Sequence, residues 1–122
     1  MARVSLDAGS VWGSNLPRMH ILVDQQGRII RLTDERLAHI LEHPEMRSLE
    51  SAIAWAVALP DHVVTSLSDP SVQLYYRYHP RTLVGGKYVC VVVKTTSADA
   101  FVLTAYLTDS VKKGAPVWQI DM

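Results

Sequence analysis

A chain of 122 residues that is 48% hydrophobic and 20% charged is one domain, with enough apolar matter for a core. Twelve basic and twelve acidic side chains leave zero net charge, which excludes coating of nucleic acid by bulk charge; the composition also excludes collagen-like, coiled-coil and extended disordered chains. No apolar run approaches the roughly 20 residues of a membrane helix, and no basic segment followed by a long apolar one opens the chain, so a cytoplasmic protein without a signal peptide is expected.

Residues 1–18 mix Gly9, Ser10, Gly13, Ser14, Asn15 and Pro17 with isolated Val11 and Trp12, and read as a loosely ordered lead-in to a single domain over 19–122. Two apolar stretches, 19–23 and 28–32, flank Asp24-Gln25-Gln26-Gly27 and predict a short hairpin. Thr33-Asp34 is a helix start, with Asp34 and Glu35 at the positive end of the dipole and Leu37, Ile40 and Leu41 facing inward. Pro44 ends that helix at about His43. A second helix begins near Ser48, carries Leu49, Ala52, Ile53 and Ala56 on its apolar face, and stops before Pro60; Trp55 falls to one side, partly exposed.

After Pro60 the period becomes extended. Stretches 62–67, 72–78, 88–94 and 100–108 are rich in Val, Tyr, Phe and Thr and predict strands joined by short turns, hence an antiparallel meander. Residues 117–120 are expected to add an edge strand. The expected class is α+β: helices first, then a four- to five-stranded sheet that they cover.

Charge is uneven. Residues 1–61 hold six basic and eight acidic side chains, and 62–122 hold six and four. Arg77, Arg81, Lys87 and Lys94 lie between Asp69 and Asp99 with no acid among them, a pattern that can guide a polyanion to one face. The lone cysteine, Cys90, sits in the run Val89-Cys90-Val91-Val92-Val93 and reads as a small buried thiol.

At about 100° per residue, Arg36, His39 and His43 cluster on the polar side of the first helix. Two imidazoles four apart can meet one substrate, and His43 ends the helix, where the dipole favours a cation. They lack the glutamate of an H-E-x-x-H pattern, and no further ligand has metal spacing, so no metal is expected. Alternation puts Gln73, Tyr75, Arg77 and His79 on one strand face, opposite Val72, Leu74, Tyr76 and Tyr78. It likewise groups Val102, Thr104, Tyr106 and Thr108 opposite Phe101, Leu103, Ala105 and Leu107. A cation at a phosphate, a hydroxyl donor and a histidine suffice for RNA cleavage through the substrate's own 2′-hydroxyl.

His39-Ile40, the His43-Pro44-Glu45 turn, Pro60-Asp61, the Tyr/Arg strand, Val91-Val92-Val93-Lys94 and Phe101-Val102-Leu103-Thr104-Ala105-Tyr106 follow one another over residues 30–110. In that order they resemble the phage and polymorphic-toxin branch of the barnase–EndoU–colicin–RelE-like (BECR) nuclease superfamily. The resemblance implies two N-terminal helices on a curved antiparallel sheet, preceded here by the hairpin, and a metal-independent, cofactor-free endoribonuclease toxin. Its substrate would be RNA, with tRNA one candidate, and its partner an antitoxin or immunity protein. On this resemblance His43 is the general acid/base and His39 its partner or a phosphate ligand. Arg77 clamps the scissile phosphate, Thr104 or Tyr106 supports it, and Lys94 is a further cation, with Arg36, Arg81 and Lys87 also binding RNA. The neutral net charge departs from the basic character of such toxins.

The enzyme reading requires Arg36, His39, His43, Arg77 and Thr104 to converge in one cleft. A non-catalytic interaction module on the same fold, binding a partner protein or a second copy as a homodimer, requires scattered polar groups and an exposed apolar patch around Trp55 or Trp118. A third reading is a small-ligand pocket lined by Tyr75, Tyr78 and Tyr106.

Overall fold

A computed structural model describes residues 19–119. The expected lead-in over 1–18 and residue 120 of the expected last strand lie outside the described residues. The chain runs β1 (Met19–Val23), β2 (Ile29–Thr33), α1 (Asp34–Leu41), a 3-10 turn (Pro44–Met46), α2 (Glu50–Ala58), β3 (His62–Thr65), β4 (Val72–Thr82), β5 (Gly85–Thr95), β6 (Ala100–Thr108) and β7 (Ala115–Gln119). All seven strands join one sheet in the order β1-β2-β6-β5-β4-β3-β7. Every neighbouring pair is antiparallel except β2 and β6, which run parallel.

This corrects the expected architecture. The sheet is mixed and seven-stranded rather than an antiparallel one of four or five, and the helices sit in mid-chain rather than at its head. The hairpin is no appendage. Ile30 and Leu32 alternate into the core, so β2 must lie in the sheet, and the helices then form the crossover that leads away from it. β7 extends the other edge beside β3.

Local chemistry explains the boundaries. The Asp24 carboxylate accepts from the backbone N–H groups of Gln26 and Arg28, both at 2.9 Å, and Gly27 takes φ +84° to close the turn. Thr33 caps α1 by accepting from the Arg36 N–H at 3.2 Å. Pro44 stops regular helix, and the chain re-enters one at Glu50, whose helix is almost wholly apolar.

α1 packs over β6 and β2, and α2 over β4, β5 and β1. Between helices and sheet lies the main core, with Ile30, Ile40, Met46, Ile53, Val57, Val63, Tyr75, Val91 and Val93 fully buried. Burying each such side chain contributes about 1.5–3 kcal/mol. The tip of the β1–β2 hairpin reaches across to β4, where Arg28 Nη2 bonds Tyr75 Oη and Gln73 Oε1, each at 2.5 Å. The first strands thus meet the fifth in sheet order, and the sheet curls around α2.

The opposite face is covered as well. Val64, Leu74, Tyr76 and Cys90 form a second buried cluster with Val72, Tyr88, Val92, Tyr106 and Val111 around it. The segment after β6 crosses this face, where the Lys112 N–H donates to Tyr76 Oη at 3.1 Å. Burial on both sides accounts for the unbroken apolar run of β5. Where that segment leads into β7, a Cβ on Gly114 would collide with the Thr65 carbonyl and touch Val64. Gly114→Ala is therefore expected to cost about 1–3 kcal/mol, read as a lower urea midpoint.

Burial pushes the Cys90 thiol up to about 11 from 9.0 and the Tyr76 hydroxyl up to about 12 from 10.0. Cys90 is expected to resist a thiol-specific disulfide reagent at pH 8 until denaturant is added; rapid labelling of the native chain would contradict its burial. Each folded pKa lies above its unfolded value. The contribution of these two groups to stability is therefore whole below about pH 9 and is lost as pH climbs toward 12, which urea midpoints at pH 8, 10 and 11 would register.

Candidate functional site

The exposed side of α1 carries Arg36 and His39, and the turn that follows it carries His43. The cap at Thr33 sets the helix phase, and Pro44 holds His43 in an extended conformation one step beyond the last turn. The His39 and His43 rings stand edge to face with centroids 6.4 Å apart, both open to solvent. Glu42 Oε1 lies 3.7 Å from His39 Nδ1. Arg36 Nη1 donates to the Leu103 carbonyl at 3.3 Å.

That carbonyl is available because β6 bulges. Val92 pairs with Thr104 but Val93 with Val102, so Leu103 is the extra residue. The bulge also corrects the predicted faces of β6: Val102 turns to the helix side with Ala105, while Thr104 and Tyr106 stay on the other side. Strict alternation fails because one inserted residue reverses every side chain before it. Arg36 is thereby anchored to the residue preceding Thr104.

The other predicted residues lie elsewhere. Arg77 pairs with Val89 on the helix-covered side, and its Nη1 donates to the Leu59 carbonyl at 2.7 Å, capping the C-terminal end of α2. Thr104 and Tyr106 are on the opposite face from it, where Tyr106 packs against the cluster of Tyr76 and Cys90, and burial raises the Tyr106 hydroxyl pKa. The full convergence of Arg36, His39, His43, Arg77 and Thr104 is therefore not formed. Nor do Tyr75, Tyr78 and Tyr106 line one pocket, since Tyr75 is buried under α2.

The acid-free stretch loses part of its field on folding. Lys94 Nζ pairs with Asp69 at 3.1 Å, and Lys87 pairs with Asp109. Hydrogen bonds from Ser71, then from Lys94, hold the Asp69 carboxyl down at about 2. Arg77 and Arg81 have no carboxylate partner among the described residues.

Two arrangements escaped the sequence reading. His20 Nε2 lies 2.7 Å from Asp34 Oδ1, beside a cavity of about 410 Å³ also lined by Arg47, Ser48, Glu50 and Ser51. A signal existed, because the hairpin register sets Met19 opposite Thr33 and so brings His20 near the helix start. The second is a cleft of about 270 Å³ between α2 and the β4–β5 hairpin, lined by Ser51, Ala52, Trp55, Arg77, Tyr78, His79 and Val89. Only the packing of α2 across β4 creates it.

Among the described residues no three His, Cys, Asp or Glu side chains come close enough to share a metal ion, and no helix is long and apolar enough to cross a membrane. No protein-family model, no curated protein and no solved structure matches this chain.

Proposed function

We propose that this protein is a toxin-like endoribonuclease of BECR type, acting in the cytoplasm by general acid–base chemistry without a metal. The observation that carries the reading is the pair of imidazoles 6.4 Å apart, His39 on α1 and His43 in the turn that follows it, with Arg36 one turn before His39 on the exposed side of the helix. In-line cleavage of RNA needs a base on the attacking 2′-oxygen and an acid on the departing 5′-oxygen, on opposite sides of one phosphorus. Two rings at this spacing leave room for a phosphodiester. One imidazole takes the 2′-hydroxyl proton as that oxygen bonds to phosphorus. The other protonates the 5′-oxygen as its bond breaks, which leaves a 2′,3′-cyclic phosphate and a 5′-hydroxyl. His43, in the histidine-proline turn, is assigned the general acid/base role, His39 its complement, and Arg36 the charge that holds the phosphate. Arg36 is held by the Leu103 carbonyl, while the Thr104 side chain lies on the other face of the sheet and takes no part in this group. A toxin of this kind would be held in check by an antitoxin or immunity protein.

The test is cutting of total tRNA by the purified chain in EDTA. Chelator-resistant cutting with 2′,3′-cyclic ends is expected; a well-folded protein that leaves tRNA and other RNA intact overturns the reading.

A second reading, a non-catalytic interaction module, is favoured by one observation: Trp55, Leu59, Val117 and Trp118 are all exposed. It expects sedimentation to show association of the chain with itself or with a partner protein, together with inert histidines.

A further inference from the structure

The cleft between α2 and β4 has chemistry that the α1 histidines do not use. Its floor is apolar, from Ala52 and Val89. Trp55 rises at its rim with 55% of its surface exposed, and α2 offers no packing reason for an indole there. Arg77 spends Nη1 on the Leu59 carbonyl, which fixes the guanidinium plane and leaves the remaining N–H groups to serve the cleft. The Arg81 N–H approaches His79 Nδ1 at 3.3 Å, so the His79 proton resides on Nε2, where it can be donated. One acid touches the lining: Asp61 accepts from the Tyr78 backbone N–H at 2.8 Å.

An aromatic plate, an apolar floor and two nitrogen donors, one permanently charged, match one chemical class: a planar base joined to a phosphate. A volume of about 270 Å³ is the size of one nucleotide, too small for a duplex groove or a folded peptide. The cleft also meets the His20–Arg47 cavity at Ser51, which lines both, so a strand could continue from one into the other. We infer that this cleft is a single-stranded RNA subsite that stacks one unpaired base on Trp55 and holds its phosphate with Arg77 and His79.

The inference rests on RNA being the ligand of this protein and names its bound form as unpaired. It does not depend on cleavage. Stacking on an aromatic tolerates any base, and charge contacts make binding salt-sensitive. Arg77 then contacts a phosphate flanking the cut, rather than the scissile one.

The test measures fluorescence anisotropy of a labelled 2′-O-methyl adenosine decamer, which cannot be cut through a 2′-hydroxyl, with the full chain. Trp55→Ala is expected to weaken binding about tenfold, Trp55→Phe to stay within about threefold, and His79→Ala to lower affinity while leaving the salt dependence unchanged. Trp55 is largely exposed and His79 half-buried, and urea midpoints check that each variant keeps the fold. Binding that Trp55→Ala leaves unchanged overturns the subsite, even if tRNA is cut. Absence of binding by the wild type overturns it too. Loss of self-association in Trp55→Ala, with decamer binding intact, assigns the indole to a protein interface and overturns it. Trp55-dependent binding without any tRNA cutting upholds the subsite and removes the catalytic reading instead.

Discussion

Replacing His43 with alanine is expected to lower chelator-resistant tRNA cleavage at least 100-fold, the usual scale of one general acid–base group. The side chain is exposed and has no hydrogen-bond partner among the described residues, so the substitution should move stability by no more than about 0.5 kcal/mol. Lost activity would therefore report chemistry. His39→Ala should fall comparably, because two groups that act as one unit give non-additive losses, and the double variant should be little worse than either single one. Arg36→Ala should instead raise KM more than it lowers kcat if its charge holds the phosphate equally before and during reaction. Full activity in His43→Ala would remove this residue from the mechanism and shift attention to His20, an imidazole oriented by the Asp34 carboxylate beside a cavity.

The largest expected loss of stability is at Asp24. Its side chain is 1% exposed yet ends a network: Oδ1 takes the Gln26 and Arg28 backbone N–H groups, and Oδ2 takes Arg28 Nε at 3.2 Å and the Tyr75 hydroxyl at 2.8 Å. Arg28 in turn reaches Gln73 and Tyr75. Burial first, then the bond to Asp24, raises the Tyr75 hydroxyl pKa, so this donor stays protonated at any ordinary pH. Asp24→Ala strips two backbone donors, a buried hydroxyl and a half-exposed guanidinium of their acceptor. The expected cost is about 3 kcal/mol, less than the full price of breaking a buried pair because Arg28 can turn to water. Chemical denaturation should show it as a lowered midpoint with unchanged slope. Tyr75→Phe, which removes one hydroxyl and keeps the ring, should cost about 1 kcal/mol. A neutral Asp24→Ala would mean that the hairpin tip is not docked on β4.

Local signals carried most of the secondary structure. The hairpin, both helices and the strands after Pro60 lie within a few residues of their predicted places, because caps, prolines and alternation act over distances the sequence displays directly. The His39 and His43 pair was legible too, though helix periodicity sets only His39, and Pro44 turns His43 out of the helix into extended backbone. Cys90 was likewise legible from its apolar run.

Pairing was not legible. Nothing local to 29–33 says that it will lie parallel to 100–108, since one register contact, Arg31 with Phe101, and a shared core decide it. The bulge at Leu103 reversed half of β6 and separated Val102 from Thr104, while Arg77 went under α2 and Thr104 stayed outside. The acid-free stretch 70–98 read as a positive field, but Asp69 and Asp109 come back in space to neutralise Lys94 and Lys87. Asp24 read as a turn residue and became the buried end of a polar network.

The sequence by itself determined the elements, the imidazole pair and the buried thiol, each set by forces within a few residues along the chain. Tertiary structure alone decided the seven-strand order, the face each β6 residue takes, which cations stay unpaired, and the cleft at Trp55. Those depend on groups far apart along the chain, such as Arg31 with Phe101 and Lys94 with Asp69, whose meeting is governed by whole-core burial rather than by any local preference.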